Sequence, residues 1–291
     1  MNSYHKIGKQ WHIFQLNVEV ISRSKCDDLA KLFQELEVDI AVIQETHTQS
    51  KEDLSKRGVI SGFKIVASED SAAHGIVTYV KNTLVDSSDF IESKAENNIY
   101  QTTVCVNNIY VTNVYKSPAA QWTQSAILKS YPHPALYLGD FNSHHQEWSY
   151  DQNDFNGEVL VDWASKNSLH LAFDAKDEKT FFSQAHQRGY NPDLCFVSCD
   201  NEGNPLPTSR YVLSAFPNSQ HRPILYQIGL KIPIVTSIPR PRWNFGKANW
   251  TEFKQNMEDT IRFIKPKGSN YERFLKLLIS NAKKIDTKRI P

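Results

Sequence analysis

An excess of charge of either sign is missing from this 291-residue sequence, in which 33 Lys and Arg against 32 Asp and Glu leave +1 with histidine neutral. That balance excludes a polycation that binds nucleic acid through bulk charge, and leaves room only for a local basic groove. Cysteine is scarce as well. Cys26, Cys105, Cys195 and Cys199 form no CxxC and are too few for a disulfide framework at this length, so they read as reduced thiols of an intracellular chain. Cys195 and Cys199 have no second ligand pair at matching spacing, which argues against zinc. No apolar run approaches the ~20 residues of a membrane span. The opening MNSYHKIGKQW lacks the apolar stretch of a signal peptide. The expectation is a soluble protein with no membrane partner. Low complexity is also absent: hydrophobic residues make up 40%, enough to build a large core.

Periodicity sets the architecture. Trp11–Val18 reads as a strand, and Asp27–Leu36 as a helix with Leu29, Leu32, Phe33 and Leu36 on one face. Asp39–Gln44 is a continuous apolar run, as in a strand covered on both sides. β-Branched and aromatic runs follow at Gly75–Val80, Ile99–Val106 and Ile109–Tyr115, the last two joined by an Asn107-Asn108 turn that favours a hairpin. A helix is expected near Gln121–Ser130, a strand at Pro134–Leu138 and a helix at Glu158–Asn167. Further strands are expected at Asp193–Val197, Tyr211–Leu213 and Ile224–Leu230. Strand–helix–strand, hairpin and a second similar set together predict an α/β fold of two packed sheets with helices outside.

Beyond residue 231 the text changes. Pro233, Pro239 and Pro241 mark a connector over 233–250. Asn249 or Thr251 caps a helix expected to run through Ile264, and Tyr271–Lys284 forms a second with Phe274, Leu275, Leu278 and Ile279 on one side. Two such helices have too little chain for a core of their own.

Polar residues recur at the C-terminal ends of the apolar strands: Asn17, Gln44-Glu45, Asn113 with Tyr115, and Asp140 with Asn142, with Asp193 at a strand mouth. Residues just past strand ends are free to converge on a site. Glu45 offers a hard carboxylate for Mg²⁺, Asp140 a base for water, Asn142 an amide, and His221 a cation or proton donor near neutral pH. Metal, base and cationic donor describe hydrolysis of a phosphate ester. Singly each has a plain reading: Glu45 as a capping carboxylate, Asp140-Phe141-Asn142 as a turn, Tyr115 as a core-edge aromatic, and His144 and His145 as surface residues.

In order along the chain, QLNV (15–18), IQETH (43–47), NVYKSP (113–118), LGDFNSHH (138–145), NPDLCFV (191–197) and SQHRPIL (219–225) resemble the motifs of the endonuclease/exonuclease/phosphatase superfamily. The chain is most similar to the apurinic-type endonuclease domains of non-LTR (LINE-like, jockey-like) retrotransposon polyproteins. The resemblance implies a four-layer α/β/β/α sandwich of two mainly antiparallel or mixed sheets over residues 8–232. It also implies a Mg²⁺-dependent (or Mn²⁺-dependent) DNA endonuclease whose 3′-hydroxyl product primes reverse transcription. Glu45 would hold the metal and Asn17 would shape its site. Asp140 would activate water, Asn142 would position it or the phosphate, and Tyr115 would orient the phosphate. Asp193 would add acidity, and His221 would stabilise the phosphoryl oxygens.

At the last motif the family commonly has Asp-His, and this chain has Gln220-His221. Gln220 can orient the imidazole but brings no charge, so weaker His221 protonation and slower cleavage are expected. Lys116, His144, Arg188, Arg210, Arg222 and Tyr190 are the candidate DNA contacts. The partners implied are a target duplex and a reverse transcriptase domain or element RNA in trans, with a nuclear location following from the substrate. PRPRWNFGKANW and the 251–291 tail resemble the segment ahead of a reverse transcriptase. Two other readings stay open: a different phosphoesterase on the same scaffold, and a catalytically weakened DNA-binding relic.

Overall fold

The computed structural model describes residues 10–123, 127–229 and 248–285. The chain divides into two compact units that part between residues 231 and 232. The strands of the first, in chain order, are β1 (Trp11–Asn17), β2 (Ile40–Gln44), β3 (Phe63–Glu69), β4 (Ile76–Lys81), β5 (Ser88–Glu96), β6 (Ile99–Val106), β7 (Ile109–Lys116), β8 (Ala135–Asp140), β9 (Leu169–Leu171), β10 (Phe181–Ser183), β11 (Arg188–Tyr190), β12 (Asp193–Ser198), β13 (Thr208–Val212) and β14 (Ile224–Ile228). Its helices are α1 (Arg23–Glu35), α2 (Lys51–Arg57) and α3 (Phe155–Lys166).

Two six-stranded sheets result, ordered β13-β14-β1-β2-β4-β3 and β5-β6-β7-β8-β12-β9, with β10 and β11 as a separate hairpin. Each sheet has one parallel pair at its centre, β1 with β2 and β7 with β8, flanked by antiparallel neighbours. A parallel pair ends its two strands side by side, so the polar strand ends noted in the sequence come out in neighbouring couples.

Three apolar clusters define four layers. Ile13, Val42, Val111, Leu138 and Cys195 lie between the sheets. Phe14, Leu16, Ala41 and Ile43 pack under α1 through Cys26, Leu29 and Phe33. Tyr137 and Phe196 pack under α3 through Leu160 and Trp163. All five residues of β2 are buried, as its continuous apolar run requires.

The Asn107-Asn108 hairpin is present with both residues at positive φ (48° and 64°), the left-handed pair of a two-residue turn. Several elements differ from the sequence reading. Helix α1 starts at Arg23, four residues before the expected Asp27, because Ser22 caps it by accepting from the Lys25 N–H. Strands β3 and β5 and helix α2 were not expected; β3 and β5 sit at sheet edges and half-bury their faces, so neither shows a clean apolar period. The strand expected at Tyr211–Leu213 is β13, at an edge of the first sheet, and spans Thr208–Val212. Residues 121–123 and 127–130 are not helical, and the rest of that expected helix lies outside the described residues. Trp122 is tied to other elements instead: its backbone N–H donates to Asn156 Oδ1 and its indole N–H to Ser143 Oγ.

In the second unit, α4 (Trp250–Ile261), capped by Asn249, stops short of Ile264, and α5 runs Tyr271–Ile285. The expected connector falls outside the described residues except for 248–250. Among the described residues no helix is long and apolar enough to cross a membrane.

Candidate active site

Strand β1 builds the floor of a cleft. Its residues 13, 15 and 17 share one face, and Ile13 shows that this face points into the space between the sheets. Across that space, Asp140 at the end of β8 and Asp193 at the start of β12 are register partners. The two polar residues of β1 meet the two carboxylates: Gln15 Nε2 donates to Asp193 Oδ1 at 2.8 Å, and Asn17 Nδ2 donates to Asp140 Oδ2 at 2.9 Å. Gln44 Nε2 donates to Asn113 Oδ1 at 2.7 Å, joining the ends of β2 and β7 in the same way. These side chains are buried, and hydrogen bonding is what makes their burial tolerable.

Loops from both sheets wall the cleft, about 400 Å³ in volume and lined by Glu19, Val20, Glu45, His47, Pro118, Asp140, Asn142, Phe181, Gln220 and His221. Five of these hold left-handed backbone: Glu19 (φ 42°), Val20 (74°), Glu45 (53°), His47 (51°) and Asn142 (40°). For β-branched Val20 that conformation is strained, and such strain concentrates where side chains are aimed at a function. Lys25 pins the strained turn. Its ammonium donates to the carbonyls of Val18 (2.6 Å), Glu19 (2.9 Å) and Asn218 (2.8 Å), tying the loop after β1 to the loop that carries His221. Burial holds its pKa below the ordinary lysine range.

His221 has a carboxylate partner, and it is Asp193. Nδ1 lies 2.9 Å from Asp193 Oδ2, a bond in which the imidazole donates, and Nε2 lies 3.9 Å from Asp140 Oδ2. Burial alone would lower the imidazole pKa; the Asp193 carboxylate and its hydrogen bond, with Asp140 and Glu45 beyond, outweigh it and lift it to about 9. The expectation of weak His221 protonation is therefore corrected. Gln220 does not orient the imidazole: its backbone N–H and its side-chain Nε2 both donate to Glu19 Oε1, and its side-chain Oε1 accepts from the Gln184 N–H. A residue next to His221 in sequence points elsewhere in extended backbone, and the orienting carboxylate comes from the other sheet. Asp140 is also pushed up, first by burial and then by Asp193 and Glu45, against the downward pull of His221 and of the Asn17 bond.

The structure thus groups Asn17, Glu45, Asp140, Asn142, Asp193 and His221 at one place. Tyr115 is buried beside them, its hydroxyl 3.3 Å from His74 Nδ1, and burial followed by Glu45 and Asp140 raises its pKa. Asn142 Nδ2 donates to the Lys116 carbonyl, and Lys116 Nζ donates back to the Asn142 carbonyl. That clasp buries Lys116 completely, so it is withdrawn as a phosphate contact. Arg210, on β13, is withdrawn too: its side chain is buried and paired with Asp177. Arg222 pairs with Glu178, and Arg188 pairs with Asp151 and lies over the Tyr190 ring. His144 stacks on Tyr150, which stacks on Tyr190, so His144, Arg188 and Tyr190 form one surface ladder.

Sequence reasoning missed Gln15, Glu19, Lys25, His47 and His74. His47 Nε2 is 3.4 Å from Glu45 Oε2. Only Gln15 left a readable signal, lying two residues before Asn17 and so on its face. Glu45 opens a carboxylate to the cleft, the hard oxygen donor that Mg²⁺ takes along with waters. Among the described residues no three His, Cys, Asp or Glu close into a cage, which a largely hydrated ion does not require.

Comparison with known proteins bears on the fold. Residues 105–225 match the family model described as endonuclease-reverse transcriptase. The endonuclease domain of TRAS1, a telomere-specific non-LTR retrotransposon, is 18% identical with a TM-score of 0.57, over 76% of this chain and 99% of its own. The Xenopus laevis APE2 catalytic domain is 15% identical (TM-score 0.52; 75% and 91% covered). An AP endonuclease from Archaeoglobus fulgidus is 13% identical (0.51; 76% and 100%). At such identities the likeness is one of fold. No curated protein matches the sequence.

Proposed function

We propose that this protein, built on the endonuclease/exonuclease/phosphatase fold, is a divalent-metal-dependent DNA endonuclease of the kind that non-LTR retrotransposons use to open a target duplex. The observation that carries the reading is the pair of buried carboxylates, Asp140 and Asp193, facing His221 at the mouth of one cleft. Asp140, with its pKa raised by burial, is the base that takes the proton of an attacking water. His221, kept cationic by Asp193, faces the phosphoryl oxygens as their charge grows. Asn142, fixed by Lys116, holds water or phosphate, and Tyr115 borders the phosphate. Glu45 would hold Mg²⁺ or Mn²⁺, with Asn17 shaping the site through Asp140. A bound divalent ion would supply charge neutralisation at the phosphate.

His144, Arg188, Tyr190 and Arg222 are the proposed duplex contacts, and a reverse transcriptase domain or element RNA in trans would use the 3′-hydroxyl. The relic reading rested on Gln220, and the Asp193–His221 bond removes its motive.

Plasmid nicking in Mg²⁺, in Mn²⁺ and in EDTA tests the proposal. Supercoiled DNA is expected to relax with either metal and not with EDTA, and Glu45→Ala and Asp140→Ala are each expected to slow it at least about 100-fold. Turnover of small phosphate esters with DNA left intact would point to a different phosphoesterase.

A further inference from the structure

Gln15 lies on the floor of this cleft, and the hydrolysis outlined above gives it no task. It is completely buried between the sheets. Both hydrogens of its amide are committed, one to Asp193 Oδ1 at 2.8 Å and one to Gln44 Oε1 at 3.3 Å, while its own Oε1 is buried without a partner. An interior amide with an orphaned oxygen is held for the sake of its nitrogen.

The orientation follows from atoms that cannot be reversed. The backbone carbonyls of Ile43 and Val77 can only accept, so the Asn113 Nδ2 group must face them, at 3.3 and 3.0 Å. Asn113 Oδ1 is then left to accept from Gln44 Nε2, Gln44 Oε1 accepts from Gln15 Nε2, and the remaining Gln15 hydrogen meets Asp193. Flipping any one amide would set oxygen against oxygen. Each amide therefore has one allowed orientation, and donation runs outward from Gln15 in two directions: through Gln44 and Asn113 to backbone carbonyls of β2 and β4, and directly to the Asp193 carboxylate on the other sheet.

We infer that Gln15 is a positioning residue: through this directional relay of amides it fixes Asp193 in the one orientation whose second oxygen takes the Nδ1–H of His221. The inference rests on the proposed hydrolysis for its consequence in rate. With a donor on each oxygen the carboxylate cannot rotate; without Gln15, only His221 restrains it. The other ionisable groups around Asp193 are Asp140 on β8, Tyr150 ahead of α3 and Tyr226 on β14, and both phenols are pushed up by burial and stay neutral.

The test compares wild type, Gln15→Met, which keeps the shape without the donor, and Gln15→Glu. Two buried carboxyls in contact share a proton, so the Glu variant is protonated near neutrality, donates to Asp193, and loses that donor as pH rises. Nicking rates against pH are measured with Mg²⁺, and the His221 ring is titrated by NMR in EDTA.

Gln15→Met is expected to lose about 10- to 100-fold in kcat with KM within about threefold, and its His221 titration to fall toward the ordinary histidine range. Gln15→Glu is expected to match wild type near pH 6.5 and to fail sooner on the alkaline side. Unchanged rates and an unchanged His221 titration in both variants overturn the inference. So does a loss that tracks the folded fraction by circular dichroism while His221 titrates as in wild type. If wild type does not nick, the nuclease reading fails by itself, and the NMR titration still decides the role of Gln15. If Gln15→Met does not fold, Gln15→Glu carries both readouts.

Discussion

Asp140 and His221 both titrate above their ordinary ranges, for different reasons. Burial destabilises the Asp140 anion, whereas the buried carboxylate of Asp193 stabilises the His221 cation despite burial. On the proposed hydrolysis, with Asp140 as the ionised base and His221 as the protonated cation, the rate should rise as Asp140 loses its proton and fall as pH climbs through about 9. Asp193→Asn should pull the alkaline limb down toward the ordinary histidine range and slow nicking about 10²- to 10⁴-fold. Gln220→Asp should leave that limb in place, since the position faces Glu19 and Gln184; a pH–rate profile of each variant checks both. The same shift bears on stability. Because the folded pKa of His221 exceeds the unfolded one, its contribution is fully present below about 6.5 and is lost as pH rises through about 9. Melting temperature in EDTA should decline across that window, and less steeply in His221→Gln.

The strands carry the site because their apolar faces are interrupted at chosen points. Gly139, one residue before Asp140, shows how close the central strands approach: a Cβ there would lie 1.9 Å from the Val114 carbonyl oxygen, on backbone at φ +149°. Gly139→Ala must push β7 and β8 apart, and should cost more than about 3 kcal/mol or prevent folding, as urea denaturation would show. Lys25, at the start of α1, works between elements. Lys25→Met removes three donors from three carbonyls and should lower stability by about 1–3 kcal/mol in the same measurement. Elements differed in how plainly they could be read. β1, β2, β7 and α3 follow apolar period because each buries a whole face; β3 and β5 lie at sheet edges, and the Asn97-Asn98 turn that joins β5 to β6 passed unnoticed beside its twin at Asn107-Asn108.

Among the described residues, the three apolar clusters draw on none beyond Ile228. A chain ending at residue 231 should therefore keep a cooperative unfolding transition with its midpoint within about 3 °C of the full-length value, checked by differential scanning calorimetry. The two sheets repeat one plan, a parallel pair flanked by antiparallel strands, and the cleft opens where the ends of those two pairs face each other. Neither sheet builds the cleft alone: the end of β1 and the residue after β2 supply Asn17 and Glu45, and β8 and β12 supply Asp140 and Asp193.

Alternation of apolar residues, the Asn-Asn turn and the polar ends of buried strands are local properties, so the sequence by itself determined the strand–helix–strand opening, the sandwich class and the candidate set Asn17, Glu45, Asp140, Asn142, Asp193 and His221. Which of these touch is a matter of register and sheet packing. Only the tertiary structure decided that Asp193 orients His221 in place of Gln220, that Lys116 is buried and Arg210 paired elsewhere, and that Gln15 reaches a carboxylate 178 positions away. A one-residue slip of β12 against β8 would turn Asp193 to the opposite face, and no local pattern in the chain records that register.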